Sequence, residues 1–233
     1  MHWRKRRNSV RKLIIIFPLL FFTFSLLWAE PVEKEIRTGR ELYFEAVKNG
    51  EKTDTALAYY EDLHSRYPDN PFVKVFLGCV YILKARDTSS PLSKMKWVRK
   101  ANKQFDTAVK SRPDNIFLRL ERGENSLYLP SFLGRFKVAE EDFTFVVQKM
   151  SRMSDEEIYT MEGASIYIRP TDTEQTYALR MRQFALFYAG LVASEKKEKE
   201  LAEKYWQSLI ALSPDTKTAR TAHERIEKLH ESK

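Results

Sequence analysis

The hydrophobic positions fall into two regimes. From Leu13 to Ala29 the chain is uncharged and predominantly apolar; beyond it, apolar residues alternate with charges at helical spacing. In that second regime one pattern recurs. Ala56-x3-Tyr60, Ala101-x3-Phe105 and Ala202-x3-Trp206 are each followed, eight residues after the aromatic, by Pro68, Pro113 and Pro214. Background usage of about 7% Ala, about 13% aromatics and about 4% Pro gives fewer than one such triple by chance. The physical sense is packing: a small residue lets two helices approach, the aromatic one turn later fills the space beside it, and the proline closes the helix. In Pro68-Asp69-Asn70 and Pro113-Asp114-Asn115 the Asp or Asn is placed to cap the next helix. Pro214-Asp215-Thr216 repeats the device before a last amphipathic helix, about 217–231, with Ala222, Ile226 and Leu229 on one side. The pattern predicts an all-α chain of helix pairs.

This spacing resembles the tetratricopeptide repeat, a unit of about 34 residues with Leu-Gly-x2-Tyr on its first helix and Ala-x3-Phe then Pro on its second. Leu77-Gly78-x2-Tyr81 supplies the first-helix half; Tyr43-Phe44-x2-Val47, Arg122-Gly123-x2-Ser126 and Ala189-Gly190-x2-Ala193 are degenerate forms of it. A further unit pairs Gly123 with Ala139-x3-Phe143, with Ser151 in place of the proline. Together, Leu77-Gly78, Ala85-Arg86-Asp87, Arg122-Gly123 and Leu129-Pro130-x-Phe132-x-Gly134-Arg135 are similar to a bacterial envelope family of this type, a resemblance that implies a fold and no activity. That fold is a right-handed superhelix of antiparallel helix pairs, about four units with insertions and a C-terminal capping helix. Gly78 to Ala101 is 23 residues and Gly123 to Ala139 is 16, so two of the turns inside units carry insertions, one polar at 85–94 and one apolar at 127–135. A third irregular stretch, about 152–175, is expected to be a helix ending before Arg169-Pro170.

By the same resemblance the first helices line a concave face. Unit one contributes Thr38, Glu41, Glu45 and Lys48, and the later units contribute a mostly apolar groove: Phe72, Val75, Cys79 and Ile82; Phe117, Leu120, Glu124 and Leu127; Phe184, Phe187, Leu191 and Ser194. An apolar surface of that extent marks an interaction site or is covered. Either the 127–135 insertion, the 152–175 stretch or a second copy fills it, or it receives a hydrophobic ligand or an apolar helix of a partner. Arg86, Arg122 and Arg135 flank the insertions as candidate anion contacts, with Asp87 and Glu124 as alternative partners.

Composition changes this picture little, and charge less than it first suggests. Of 233 residues, 43% are hydrophobic and 31% charged, with only 7 Gly and 9 Pro, which fits a helical chain with a real core. The formal net charge is +8, but Arg4, Lys5, Arg6, Arg7, Arg11 and Lys12 all precede the apolar run. Without those six the 40 basic residues fall to 34 against 32 acidic, a net +2, so the charge is no argument for nucleic-acid binding. Basic residues followed by an apolar run read as a signal peptide, cleaved after Ala29, or a retained membrane anchor, with 30–233 as the repeat domain. The expected location is therefore the periplasm or cell envelope, with the inner membrane as the alternative if the segment is retained.

No motif for catalysis, metal or phosphate binding is present, and neither enzyme activity nor a cofactor is expected. Cys79 has no second cysteine to pair with and reads as a small apolar filler. Glu140-Glu141-Asp142 and Asp155-Glu156-Glu157 read as solvated charge runs. The expected function is a non-enzymatic envelope adaptor that binds an envelope or exported protein through its groove, with the oligomeric state open. The alternative is a periplasmic protein for a solute or small hydrophobic ligand, resembling the helical-repeat T components associated with tripartite ATP-independent periplasmic transporters.

Overall fold

The computed structural model describes residues 32–231, so the signal or anchor expected over 1–29 lies outside the described residues. Those residues form ten α-helices and no strand. Four helical hairpins succeed one another: α1 (Val32–Lys48) with α2 (Thr53–Arg66), α3 (Pro71–Asp87) with α4 (Pro91–Ser111), α5 (Ile116–Leu127) with α6 (Phe136–Met150), and α8 (Glu174–Glu195) with α9 (Lys199–Leu212). The short α7 (Asp155–Thr160) precedes α8, and α10 (Lys217–Glu231) closes the array. Each hairpin packs internally, and the first helices follow one another, α1 on α3, α3 on α5 and α5 on α8. The result is an all-α solenoid.

The caps explain where the helices start. The Asn70 side chain accepts hydrogen bonds from the Phe72 and Val73 amides, and Asn115 does the same for Phe117 and Leu118. Thr216 caps α10 through the Ala219 amide. Between the helices of a hairpin, one glycine faces one aromatic ring. A Cβ on Gly78 would lie 2.8 Å from the Phe105 ring, on Gly123 3.0 Å from Phe143, and on Gly190 2.2 Å from the Trp206 indole nitrogen. In unit one the facing glycine is Gly39, against Tyr60, not the Phe44 position that the repeat spacing indicates. Phe44 is instead 47% exposed, and Thr38, Glu41, Glu45 and Lys48 all face solvent.

The three irregular stretches resolve differently. The polar one is only a three-residue connection, Thr88–Ser90, because Ser90 and Pro91 start a helix early and α4 runs for 21 residues. The extra length is helix, not loop. In the apolar one, Ser131–Leu133 makes a single 3-10 turn that ends at Gly134, and Phe132 and Tyr128 remain 76% and 68% exposed, so it fills no groove. The third is not one helix up to Arg169: α7 stops at Thr160, Gly163 turns the chain with φ of +87°, and a 3-10 turn at Ala164–Ile166 follows.

That third stretch enters the concave side. Tyr167 is buried with its ring stacked on Phe117 at 5.1 Å and against Phe76 at 6.0 Å, and Gly163 sits on the Phe72 ring. Its carbonyls are held by side chains of the array. Arg40 donates to Ile166 O at 2.6 Å, Asn115 to Glu162 O at 2.8 Å, Tyr177 to Ala164 O at 3.3 Å and Arg180 to Tyr167 O at 3.2 Å. The segment is thus an internal plug, satisfying backbone groups that burial would otherwise orphan.

One charge run is not solvated. Asp142 is fully buried, accepting from Arg119 Nη1 at 2.8 Å and from Arg122 Nε at 2.7 Å and Nη2 at 2.8 Å. It precedes Phe143 on the face of α6 that meets α5, so tertiary packing overrides the polarity of its neighbours Glu140 and Glu141. Arg135 extends the network to Asp106, accepted by both carboxylate oxygens at 2.8 and 2.9 Å. In the other run, Asp155 pairs with Arg182 and Glu157 completes a capping box with Ser154.

Candidate binding cavity

Beyond the plug, the concave side keeps a cavity of about 550 Å³, within the range of ligand pockets. Helix α1 contributes Arg40, Tyr43 and Phe44; α5 contributes Leu120, Glu121 and Glu124; α8 contributes Met181, Phe184, Phe187 and Tyr188. Tyr167 of the plug closes one side, and Lys217, Thr218 and Thr221 at the start of α10 form the other. The Gln183 amide anchors that second wall by donating to Ser213 O and Thr216 Oγ1.

The aromatic wall is organised around Tyr188. Its ring stacks nearly parallel on Phe143 at 5.2 Å and contacts Phe184 at 4.6 Å and Phe187 at 5.7 Å, which aims its hydroxyl at Glu124. Burial, and then the charge of Glu121 one helical turn away, push the Glu124 carboxyl up to about 7, while the Tyr188 hydrogen bond opposes the rise. Glu121 is also raised by burial, moderated by the Arg40 charge. Both side chains keep some access to the cavity yet are surrounded by protein atoms. The Arg40 guanidinium lies 4.6 Å above the Tyr167 ring and 5.3 Å from that of Phe44. The Tyr167 hydroxyl is buried beside the Glu121 carboxylate, and burial with that charge pushes it well up.

Cys79 lies behind this wall with no exposure, its sulfur 3.6 Å from Glu121 and accepting from the Asn125 amide. Burial and the Glu121 charge push its thiol well up, away from the thiolate. Cys79 is therefore expected to resist iodoacetamide in the native protein and to react fully once guanidinium unfolds it, as mass spectrometry of the alkylated chain would show. Among the described residues, no group of three His, Cys, Asp or Glu side chains is placed to hold a metal. Nor is any described helix long and apolar enough to cross a membrane.

A family model described as the tetratricopeptide repeat matches residues 41–70 and 184–216. Each stretch runs from within the first helix of a hairpin, α1 or α8, through its second helix to the turn that follows. With the hairpin geometry between and around them, these two matches support one fold type. The array is of the tetratricopeptide type. The two matched units are those without an insertion between their helices; the lengthened α4 and the 128–135 turn set the middle pair apart from the regular repeat. No curated protein matches the chain.

Within this tetratricopeptide array, Phe117, Leu120, Glu124, Phe184 and Phe187 reach the cavity. Phe72, Val75 and Cys79 are closed off in the core, Phe72 under the plug. Ile82 and Leu127 pack at the edge of the main core, and Leu191 against the smaller core of α8, α9 and α10. The anions that the three arginines meet belong to the chain itself. Arg86 chelates Asp87 and donates to the last carbonyls of α1 at Ala46 and Val47; Arg122 pairs with Asp142 and Asp106; Arg135 pairs with Asp106. Sequence reasoning missed Arg40, Tyr43, Glu121 and Tyr188. Tyr43, three residues after Arg40, and Glu121, three before Glu124, each share a helical face with their partner, the only sequence signal for either pair.

Proposed function

We propose that this protein is a non-enzymatic adaptor of the bacterial cell envelope that recognises an envelope or exported protein by admitting a segment of it into the cavity between α1, α5 and α8. Tetratricopeptide arrays are generally binding scaffolds, and the observation that carries the reading is the cavity itself: the plug occupies the concave face at Phe72 and Phe117, and the aromatic surface left over is walled, deep and still open to solvent at Phe44. Apolar burial against such rings supplies binding energy, and the plug restricts which segments fit. The basic N-terminus and apolar run at Leu13–Ala29 support export.

A second reading, a periplasmic protein for a solute or small hydrophobic ligand, is favoured by the same plug, because it closes one side of the trough. Expression with the chain's own N-terminal segment in the native host, gentle purification, and native and lipid mass spectrometry separate the two. The adaptor reading expects a protein partner that is lost, by about thirtyfold in affinity, on Phe44→Asp. Phe44 is half exposed, so that variant should keep its melting temperature within a few degrees. A stoichiometric small ligand with no protein partner would sink the adaptor and leave the solute reading.

A further inference from the structure

The cavity holds two carboxylates and one guanidinium within reach of them. Arg40 balances Glu121, whose proton affinity its charge lowers. Glu124 has no such partner: its hydrogen bond comes from the neutral Tyr188 hydroxyl, and the charge acting on it is that of Glu121. Of the other basic groups in the wall, Arg180 is paired with Asp172, and Arg169 and Lys217 stand at the exposed rim.

We propose that the cavity binds an organic cation, an ammonium or guanidinium on an apolar stem, with Glu124 as its counter-ion and the rings of Tyr43, Phe44, Phe184 and Tyr188 around the stem. The inference rests on the cavity being the binding site of the proposed adaptor. Its ligand is a lysine or arginine side chain of the partner segment or a free amine of the same chemistry. A carboxylate and aromatic faces out of bulk water attract a cation more strongly than either does at an open surface. A cation also removes the repulsion between Glu121 and Glu124, which no neutral ligand does.

The ionised form of Glu124 is the one that binds, so affinity rises with pH. With this carboxyl near 7, affinity is about tenfold higher at pH 8 than at pH 6. The groups facing it from other elements do not produce that step: the hydroxyls of Tyr43 on α1, Tyr188 on α8 and Tyr167 of the plug, and the thiol of Cys79 on α3, are all pushed upward by burial. Arg40 supplies the neighbouring positive charge, and Glu121, raised in the same direction, reinforces the trend.

The test is a ligand-observed NMR titration of the purified full-length protein with hexylamine, hexanol, and a short peptide carrying one lysine beside its norleucine counterpart. At pH 8 hexylamine or the lysine peptide should bind at least about tenfold more tightly than its neutral counterpart. The preference should shrink at pH 6 in the unaltered protein, and should vanish in Glu124→Gln while hexanol binding and the melting temperature are kept. The lysine peptide binding better than hexylamine points to a partner side chain, the reverse to a free amine, and either supports the proposal. No preference for the cation at pH 8, no binding of any cationic probe, or a preference that survives Glu124→Gln overturns it. Loss of the native protein partner on Phe44→Asp would in that case still stand, so the adaptor reading fails or survives separately.

Discussion

Gly163→Ala should lower the stability of the protein by about 2–5 kcal/mol, from a left-handed backbone that an L side chain resists and from overpacking against a ring. Gly163 has φ of +87°, and a Cβ there would fall 2.0 Å from the Phe72 ring, which is itself buried. Neither group has room to yield, since Phe72 is in the core and the plug on its other side is tied down by Arg40, Asn115 and Tyr177. Differential scanning calorimetry should show a melting temperature lower by on the order of 10 °C for a chain of this size. Proteolysis should gain a cut within 161–170, where the plug is lifted. Gly134→Ala is the internal control: its φ is +67° but nothing lies within 4 Å, so only the backbone cost of about 1 kcal/mol applies. Equal effects of the two variants would mean that the plug does not press on Phe72.

Asp142→Ala should cost about 3–5 kcal/mol, the range found when one partner of a buried ion pair is removed and the other charges stay behind. Its carboxylate is fully buried and meets two guanidiniums, each about four-fifths or more buried at the side chain. Arg122 would retain Asp106, but Arg119 would keep only the Pro113 carbonyl and the face of Phe145. Chemical denaturation should show the loss at all salt concentrations, because screening acts weakly on buried pairs. Glu141→Ala, one residue away and exposed, should change stability by less than about 0.5 kcal/mol. A mild effect of Asp142→Ala would return this residue to the solvated charge run that the sequence alone indicates.

The helix pairs were legible because their determinants are local: a glycine or alanine, an aromatic residue one turn on, an asparagine before the next helix. Asn70, Asn115, Phe105 and Trp206 do what their spacing predicts. Asp142 was not legible, because its burial depends on which side of α6 meets α5, and a run of three acids has the same composition either way. The plug was foreseen only as one of several fillers. Its conformation rests on contacts between residues more than a hundred positions apart, such as Arg40 with Ile166, which no short-range period encodes. Unit one shows the same limit: the repeat spacing puts Phe44 where a packed glycine belongs, while the packing uses Gly39 and leaves Phe44 to the cavity mouth.

On this reading the cavity between α1, α5 and α8 is the binding surface and the plug is part of the fold. Hydrogen exchange of the protein alone and with the partner it co-purifies with tests both at once. New protection is expected around Arg40–Phe44, Leu120–Glu124, Met181–Tyr188 and the start of α10, with residues 161–168 slow to exchange in both states. Protection gained instead at Tyr128–Gly134, or rapid exchange of 161–168 in the free protein followed by its displacement on binding, would contradict it.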